Sequence, residues 1–374
     1  GYTSAQLDTV YMDHVMGYLN YMFADTPMTD PFSQYLNFFN IYVIDVVSAQ
    51  AGADDPSVDF FVDTALDASY LWDGVTQRLL YINHGDAVAV LDTALAGSDI
   101  GEEMLFVTVN STQYGGGGGY FAVFAGGNAF AYEVALHELG HSFAGLADEY
   151  GGEGAYTGGE PGEPNVTISP TGADWSEWLG YDDPILGVVG AFEGGYYHDE
   201  GIWRPTFNSR MRNLDRPFDA IAREAFILQF YSFVDPLDGW DSNAGTRTNL
   251  LELNVDTLDP ALIHVDWTVN GVLFADVGEE FDLSQDFGWG TYTITARAYD
   301  PTPWVRGDRS SLEQSVTWTV VNDYRLVGSA AAETLTGNNN AQNIVGLGGS
   351  DTINALGGND LLDGSAGNDA LNGG

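Results

Sequence analysis

Residues 129–150 read AFAYEVALHELGHSFAGLADEY, and this stretch decides the fold of the first part of the chain. Its apolar residues recur at helical spacing, so a helix is expected over residues 129–144, ended by Gly145. His137 and His141 stand four residues apart, which puts both imidazoles on one helix face about one turn apart. That spacing suits two nitrogen ligands of one tetrahedral Zn2+. Glu138, beside the first histidine, is placed as a general base that takes a proton from water and later passes one to a leaving amine. Asp148 and Glu149 follow the glycine, where a third ligand is needed. Asp148 is the first choice, Glu149 the alternative and a distant residue the third; either carboxylate could instead orient a ligating histidine.

Outward from this helix, residues 1–240 read as one mixed α/β unit. Asp8 to Phe23 carries apolar residues at near-helical spacing. Phe39 to Val47 is rich in β-formers and reads as a buried strand, and Met104 to Asn110 as a second strand. The five glycines Gly115–Gly119 follow the second strand. That strand is either a sheet edge on which an extended substrate lies or a buried strand with a flexible loop after it. Residues 151–170, rich in Gly, Pro and Glu, read as a long loop. His14, His84 (in a loop) and His264 read as structural or exposed.

Residues 245–325 change character. Strand-like runs alternate with turns, which points to a compact immunoglobulin-like β-sandwich. From Gly328 to the last residue, Gly374, a nine-residue period takes over. Leu335, Ile344, Ile353, Leu362 and Leu371 share one phase, and Asp351, Asp360 and Asp369 another.

The 374 residues carry a formal net charge of −43, and all eleven cations are arginine. Nucleic acid and anionic membranes need cations to neutralise phosphate, so neither is an expected partner. Such a surface suits divalent cations or a saline habitat. There are no cysteines, which excludes cysteine zinc sites and cysteine nucleophiles and fits a bacterial extracellular enzyme held together by metals. At 44% hydrophobic and 13% aromatic residues the chain should bury a sizeable core, and no apolar run approaches a membrane span. The chain begins at Gly1, so it is expected to be a processed or excised form.

The order His-Glu-x-x-His-x-x-x-Gly-x-x-Asp resembles the metzincin peptidase pattern with one extra residue before the glycine, and puts Asp148 in the third-ligand place. Ser209-Arg210-Met211 resembles the metzincin Met-turn, with Met211 as the floor beneath the zinc; ordinary core packing is the other reading of Met211. The tyrosine usual after that methionine is replaced by Asn213, which leaves Tyr197 or His198 as candidates for oxyanion support. Several stretches together resemble the IgA-peptidase-type metallopeptidases: Gly1-Tyr2-Thr3, Phe39-Asn40-Ile41-Tyr42, Val109-Asn110 with Tyr114-Gly115-Gly116, His137 to Tyr150, and Arg204-Pro205 with Ser209 to Arg212. That resemblance implies a zinc endopeptidase acting on proteins or peptides, with His137 and His141 as ligands and Glu138 as base. It does not imply immunoglobulin A as substrate. The nonapeptides of residues 328–374 resemble RTX-type repeats, which wind into a parallel β-roll and bind Ca2+ through residues such as Asp351, Asp360 and Asp369. Gln342 and Glu333 take the Asp place in the two repeats before these, so those turns are expected to bind none.

The expected molecule is therefore an α+β, multi-domain chain: a metzincin-like α/β peptidase domain (1–240), a sandwich (245–325) and the start of a β-roll (328–374). It is expected to be secreted by a bacterium through type I machinery and to act as a monomer. Two other readings remain: an inactive peptidase fold serving surface binding or adhesion, and a metal-dependent hydrolase of a non-peptide bond.

Overall fold

The computed structural model describes residues 1–250, 252–283, 290–322 and 325–374. It mixes four α-helices with many short strands in several sheets, and it divides into two compact units. The first is Gly1–Phe233 with Pro303–Asp308; the second is Val234–Thr302 with Arg309–Gly374. No described helix is long and apolar enough to cross a membrane.

The first unit is built around helix α3. Counting along the chain, its helices are α1 (Met12–Met22), α2 (His84–Ala94), α3 (Ala131–Ser142) and α4 (Ala220–Phe230). A π-helical turn, Leu7–Tyr11, leads into α1, so the helical spacing of residues 8–23 is realised with a widened first turn. Side-chain caps start α2 and α4. Asn83 accepts from Gly85 and Asp86, which makes His84 the exposed first residue of α2 rather than a loop residue. Asp219 accepts from the Ala222 amide at the start of α4.

Helix α3 buries Val134, Ala135, Leu136, Leu139 and Gly140. It packs against a three-stranded sheet in which Phe106–Val109 pairs in parallel with Ala122–Ala125, and Ala122–Ala125 pairs antiparallel with Gly116–Gly117. The helix ends as its glycine requires. Gly145 has φ +63°, and the Leu146 amide donates back to the Gly140 carbonyl at 2.9 Å. The chain then reverses and brings Asp148 under the helix it has just left.

Two sequence expectations are corrected here. Residues 39–47 form no buried strand: Ile41, Tyr42, Val43 and Val47 are exposed, and only Val47 makes an isolated bridge, to Tyr2. Within the run only Phe39 and Ile44 pack inward, on Phe23, Phe32 and Phe230 and on the core beside Val109. The glycine run is no flexible loop either, because Gly115, Gly116 and Gly117 are buried. Gly116–Gly117, not Phe106–Val109, is the sheet edge beside the histidines. The Gly116 carbonyl and amide are already bonded to Leu80 and Arg78. A Cβ on Gly116 would come 2.5 Å from Val134 Cγ1 and 2.9 Å from Glu138 Oε1, and one on Gly118 would come 2.6 Å from His141 Cβ. The glycines let a strand lie directly against the histidine face of α3.

In the second unit a five-stranded and a three-stranded sheet share one core. Strands Glu252–Thr257 and His264–Val269 and the inner parts of Gly290–Tyr299 and Glu313–Asn322 alternate, and their buried sides carry Leu253, Val255, Val265, Trp267, Ile294, Ala296, Val316 and Trp318. Trp267 stacks on Trp318 at 5.6 Å and on Phe281 at 5.1 Å. The repeats form two parallel three-stranded sheets. One is Arg325–Val327, Asn343–Val345 and Leu361–Asp363; the other is Thr334–Thr336, Thr352–Asn354 and Ala370–Asn372. Successive nonapeptides therefore alternate between sheets, and Leu335, Ile344 and Ile353 meet between them.

Overpacking a filled site costs about 1–3 kcal/mol. Gly116→Ala should therefore lower the urea midpoint of the first unit by a corresponding amount. An unchanged midpoint would mean that the strand does not press on α3.

Candidate metal centre and its cleft

Helix α3 presents His137 and His141 with their rings 4.8 Å apart. His137 Nδ1 lies 3.0 Å from the Arg210 carbonyl, and His141 Nδ1 lies 2.7 Å from the Leu146 carbonyl. A carbonyl only accepts, so both Nδ1 atoms carry a proton, and in the neutral imidazoles both Nε2 atoms offer a lone pair. These two Nε2 atoms are 3.2 Å apart. Asp148 Oδ1 lies 3.0 Å from His137 Nε2 and 3.4 Å from His141 Nε2. It is buried without a hydrogen-bond partner. With both imidazoles neutral, three electron-pair donors thus face one another. Donors about 2.0–2.1 Å from one tetrahedral Zn2+ stand roughly 3.3 Å apart, the size of this triangle. His137, Glu138 and His141 also form a cluster whose ligand atoms lie within 4.8 Å of one another.

The electrostatics follow from that triangle. For His141, burial opposes protonation, but the Asp148 carboxylate outweighs it and pushes the imidazole up to about 9. For Asp148, burial raises the pKa, while hydrogen bonds and charge from the two histidines hold it well below the usual carboxylate range. Glu138 is 8% exposed, and burial pushes it upward against the partial opposition of both histidines. Glu138 and His137 line a cleft of about 260 Å3 together with Arg78, Tyr114, Gly116, Tyr150 and Arg212.

The other oxygen of Asp148 is held by two phenols, Tyr197 at 2.5 Å and Tyr150 at 2.8 Å. Burial and the adjoining Asp148 charge push Tyr150 up to about 12, and Tyr197 is raised for the same reasons, so both phenols stay protonated and donate. Tyr197 thus acts on Asp148, and neither it nor His198 lines the cleft. His198 Nδ1 bonds to the Tyr196 carbonyl and its ring packs on Tyr156. Glu149, directly after Asp148, points the other way. Fully buried, it accepts from Asn165 at 3.0 Å and from Ser209 at 2.6 Å. Its amide donates to the Met211 carbonyl at 2.8 Å. Glu149 therefore ties the Asp148 loop to the Ser209–Met211 turn. Met211 is fully buried, and a Cβ on Gly140 would come 2.7 Å from its sulfur, so it packs beneath the helix between the two histidines.

Sequence reasoning missed Arg78, Tyr114, Tyr150 and Arg212. Tyr114, Tyr150 and Arg212 lie in the stretches that carry the family resemblance, but no role was read from them there, and Arg78 stood out only as one of eleven cations.

In the repeats, one oxygen of each aspartate caps the preceding coil. Asp351 Oδ1 accepts from the Glu333 amide, Asp360 Oδ1 from Gln342, and Asp369 Oδ1 from Asp351, each at 2.9 Å. The second oxygens of Asp351 and Asp360 are buried without a partner. Glu333 and Gln342, one methylene longer, instead accept from the Ser329 and Asn338 amides, the latter at 2.6 Å.

The sequence profile described as IgA Peptidase M64 matches residues 1–187 and 181–230, more than half of the chain. The chain belongs to that family. No curated protein matches it. Membership in the IgA peptidase M64 family makes it a peptidase, with proteins or peptides as its substrate class. All the residues that shape the metal-ligand triangle and its cleft fall inside the matched region.

Ser209→Ala would leave the buried Glu149 Oε2 without its donor. Such a loss costs about 1–3 kcal/mol, so the variant should unfold at lower denaturant. A midpoint equal to that of the wild type would remove Glu149 from the account as a structural tie.

Proposed function

We propose that the chain is a secreted bacterial zinc endopeptidase of metzincin type. The observation that carries this reading is the triangle of His137 Nε2, His141 Nε2 and Asp148 Oδ1, with the last atom buried and partnerless. These residues would hold the metal, and Asp148 rather than Glu149 is the third ligand because Glu149 is committed to Asn165 and Ser209. When bound, Zn2+ supplies the Lewis acidity that lowers the pKa of water and polarises a carbonyl. Glu138 takes the proton from the attacking water and delivers it to the leaving amine nitrogen. Its burial beside Gly116 raises its proton affinity toward that of a group able to do both. The carbonyl bonds to both Nδ1 atoms fix the ring tautomers, and Tyr150 and Tyr197 fix the Asp148 carboxylate. Met211 is the floor of the site.

The same reading assigns residues 1–240 to the peptidase, 245–325 to an immunoglobulin-like sandwich and 328–374 to the first coils of an RTX-type β-roll. The unpartnered oxygens of Asp351 and Asp360 support calcium binding there, with Asp369 in the same phase. Glu333 and Gln342 close their own turns with backbone bonds and bind none. RTX-type repeats in turn support export by type I machinery.

Casein hydrolysis by the zinc-loaded protein tests the catalytic reading. The wild type should cut, a chelator should stop it, and Glu138→Ala should lose at least about a hundredfold in rate while keeping its zinc. Hydrolysis by Glu138→Ala at the wild-type rate would remove Glu138 as the base. For the repeats, saturating Ca2+ should raise the melting temperature of the second unit, since a ligand at a hundred times its Kd adds about 2.7 kcal/mol. Asp351→Asn should shrink that shift, and a calcium-independent melt would contradict the calcium assignment.

A further inference from the structure

The peptidase cleft lies in a chain with 54 acidic residues and eleven arginines. Three of those eleven line the cleft: the buried Arg210, and the pair Arg78 and Arg212. Among the described residues neither has a carboxylate within 4.0 Å, whereas Arg210, Arg223 and Arg297 each do. Arg78 spends one donor on the Tyr150 hydroxyl at 3.2 Å, and Arg212 one on the Glu149 carbonyl at 3.1 Å. A guanidinium has five N–H donors in a fixed fork, so most of each fork is uncommitted. Arg210 makes the contrast. It lines the same cleft but is wholly buried, bonded to Glu133, the Met28 carbonyl and Tyr21. Its role is structural.

Both uncommitted forks are tied to consecutive residues, Glu149 and Tyr150, directly after Asp148. They are therefore anchored at the metal-ligand triangle, and Arg78 is further steadied by the Tyr150 ring 5.8 Å away. An anchored planar fork suits bidentate binding of a carboxylate. The long-range field of a −43 chain repels anions. Selection of a carboxylate must then come from short contacts, and these two arginines supply them.

Resting on the peptidase reading of this cleft, we propose that Arg78 and Arg212 form a carboxylate-recognition subsite. The cleft selects peptides that carry a carboxylate next to the cleaved bond, either an Asp or Glu side chain or a free C-terminus.

Three otherwise identical peptides separate the sources: internal Glu with an amidated C-terminus, internal Gln with an amidated C-terminus, and internal Gln with a free C-terminus. The zinc-loaded wild type should cut one of the two carboxylate peptides with a kcat/KM about tenfold or more above the neutral one. Preference for the first assigns a side-chain carboxylate, and preference for the third a terminal one. In Arg78→Gln/Arg212→Gln the ratio should fall to within about twofold of unity, and Arg→Lys at both positions should restore part of it. The ratio is internal to each variant, so a general loss of activity does not imitate the effect. Equal rates on all three peptides in the wild type would overturn the subsite and leave the peptidase reading intact. So would an equal fall on all three peptides in the double variant with the ratio kept. Binding of the same peptides to zinc-loaded Glu138→Gln, followed by fluorescence, separates recognition from turnover. Selective binding of a carboxylate peptide, with no hydrolysis by the wild type, would support the subsite and sink the peptidase. Equal binding of all three would overturn the subsite.

Discussion

Two neutral imidazoles and a carboxylate that aim their lone pairs at one buried point form an arrangement that only a shared positive charge makes stable. His137 Nε2, His141 Nε2 and Asp148 Oδ1 are in that position, because each Nδ1 proton is already given to a backbone carbonyl and Asp148 Oδ1 is sealed from solvent. A buried acceptor without a donor costs a few kcal/mol, and mutual repulsion among lone pairs adds to it. A metal ion shared by all three removes the cost, and without one a proton drawn onto the imidazoles by Asp148 does so in part. Much of the first unit serves to hold this triangle. Gly145 turns the chain so that Asp148 returns beneath α3, and Tyr150 and Tyr197 pin the free oxygen of Asp148. Glu149 locks the loop to the Ser209–Met211 turn, and the glycine strand lets α3 sit close enough to enclose Glu138.

The adjoining residues Asp148 and Glu149 show how position alone separates two chemically similar groups. One carboxylate is aimed at two imidazoles and held strongly acidic by them once they outweigh its burial. The other is aimed at an amide and a hydroxyl in the interior, where burial and the nearby Asp219 push its pKa upward. A charged group facing the imidazoles and a nearly neutral strut follow from a single step along the backbone. The repeats use the same logic at another scale. An aspartate bonds one backbone amide and leaves its second oxygen open, while the longer Glu333 and Gln342 reach a further amide in their own turns.

Features set by local spacing were legible in the sequence. The helical period around His137 and His141, the glycine stop, the alternating strands of the second unit and the nine-residue phase of the tail all depend on near neighbours. They reappear in the structure within a residue or two. The choice between Asp148 and Glu149 was only half legible, because it turns on Asn165 and Ser209, which lie 16 and 60 residues away from Glu149. Residues 39–47 misled because β-propensity reports a side chain's fit to a packed surface, and here only Phe39 and Ile44 meet the core while Ile41, Tyr42, Val43 and Val47 are exposed. The glycine run misled in the opposite direction: lack of side chains reads as freedom in a sequence and as close approach in a fold. Arg78, Tyr150 and Arg212 were invisible as a cleft, since they come from separate parts of the chain.

X-ray absorption at the zinc edge, on the zinc-loaded wild type and on Asp148→Ala, tests the ligand triangle most directly. The account predicts a first shell of light atoms only, at roughly 2.0–2.1 Å, with the scattering of two imidazoles. In Asp148→Ala the two imidazoles should remain while one oxygen changes or the zinc is lost. Fewer than two imidazoles in the wild type, or a zinc shell unaltered in Asp148→Ala, would contradict it.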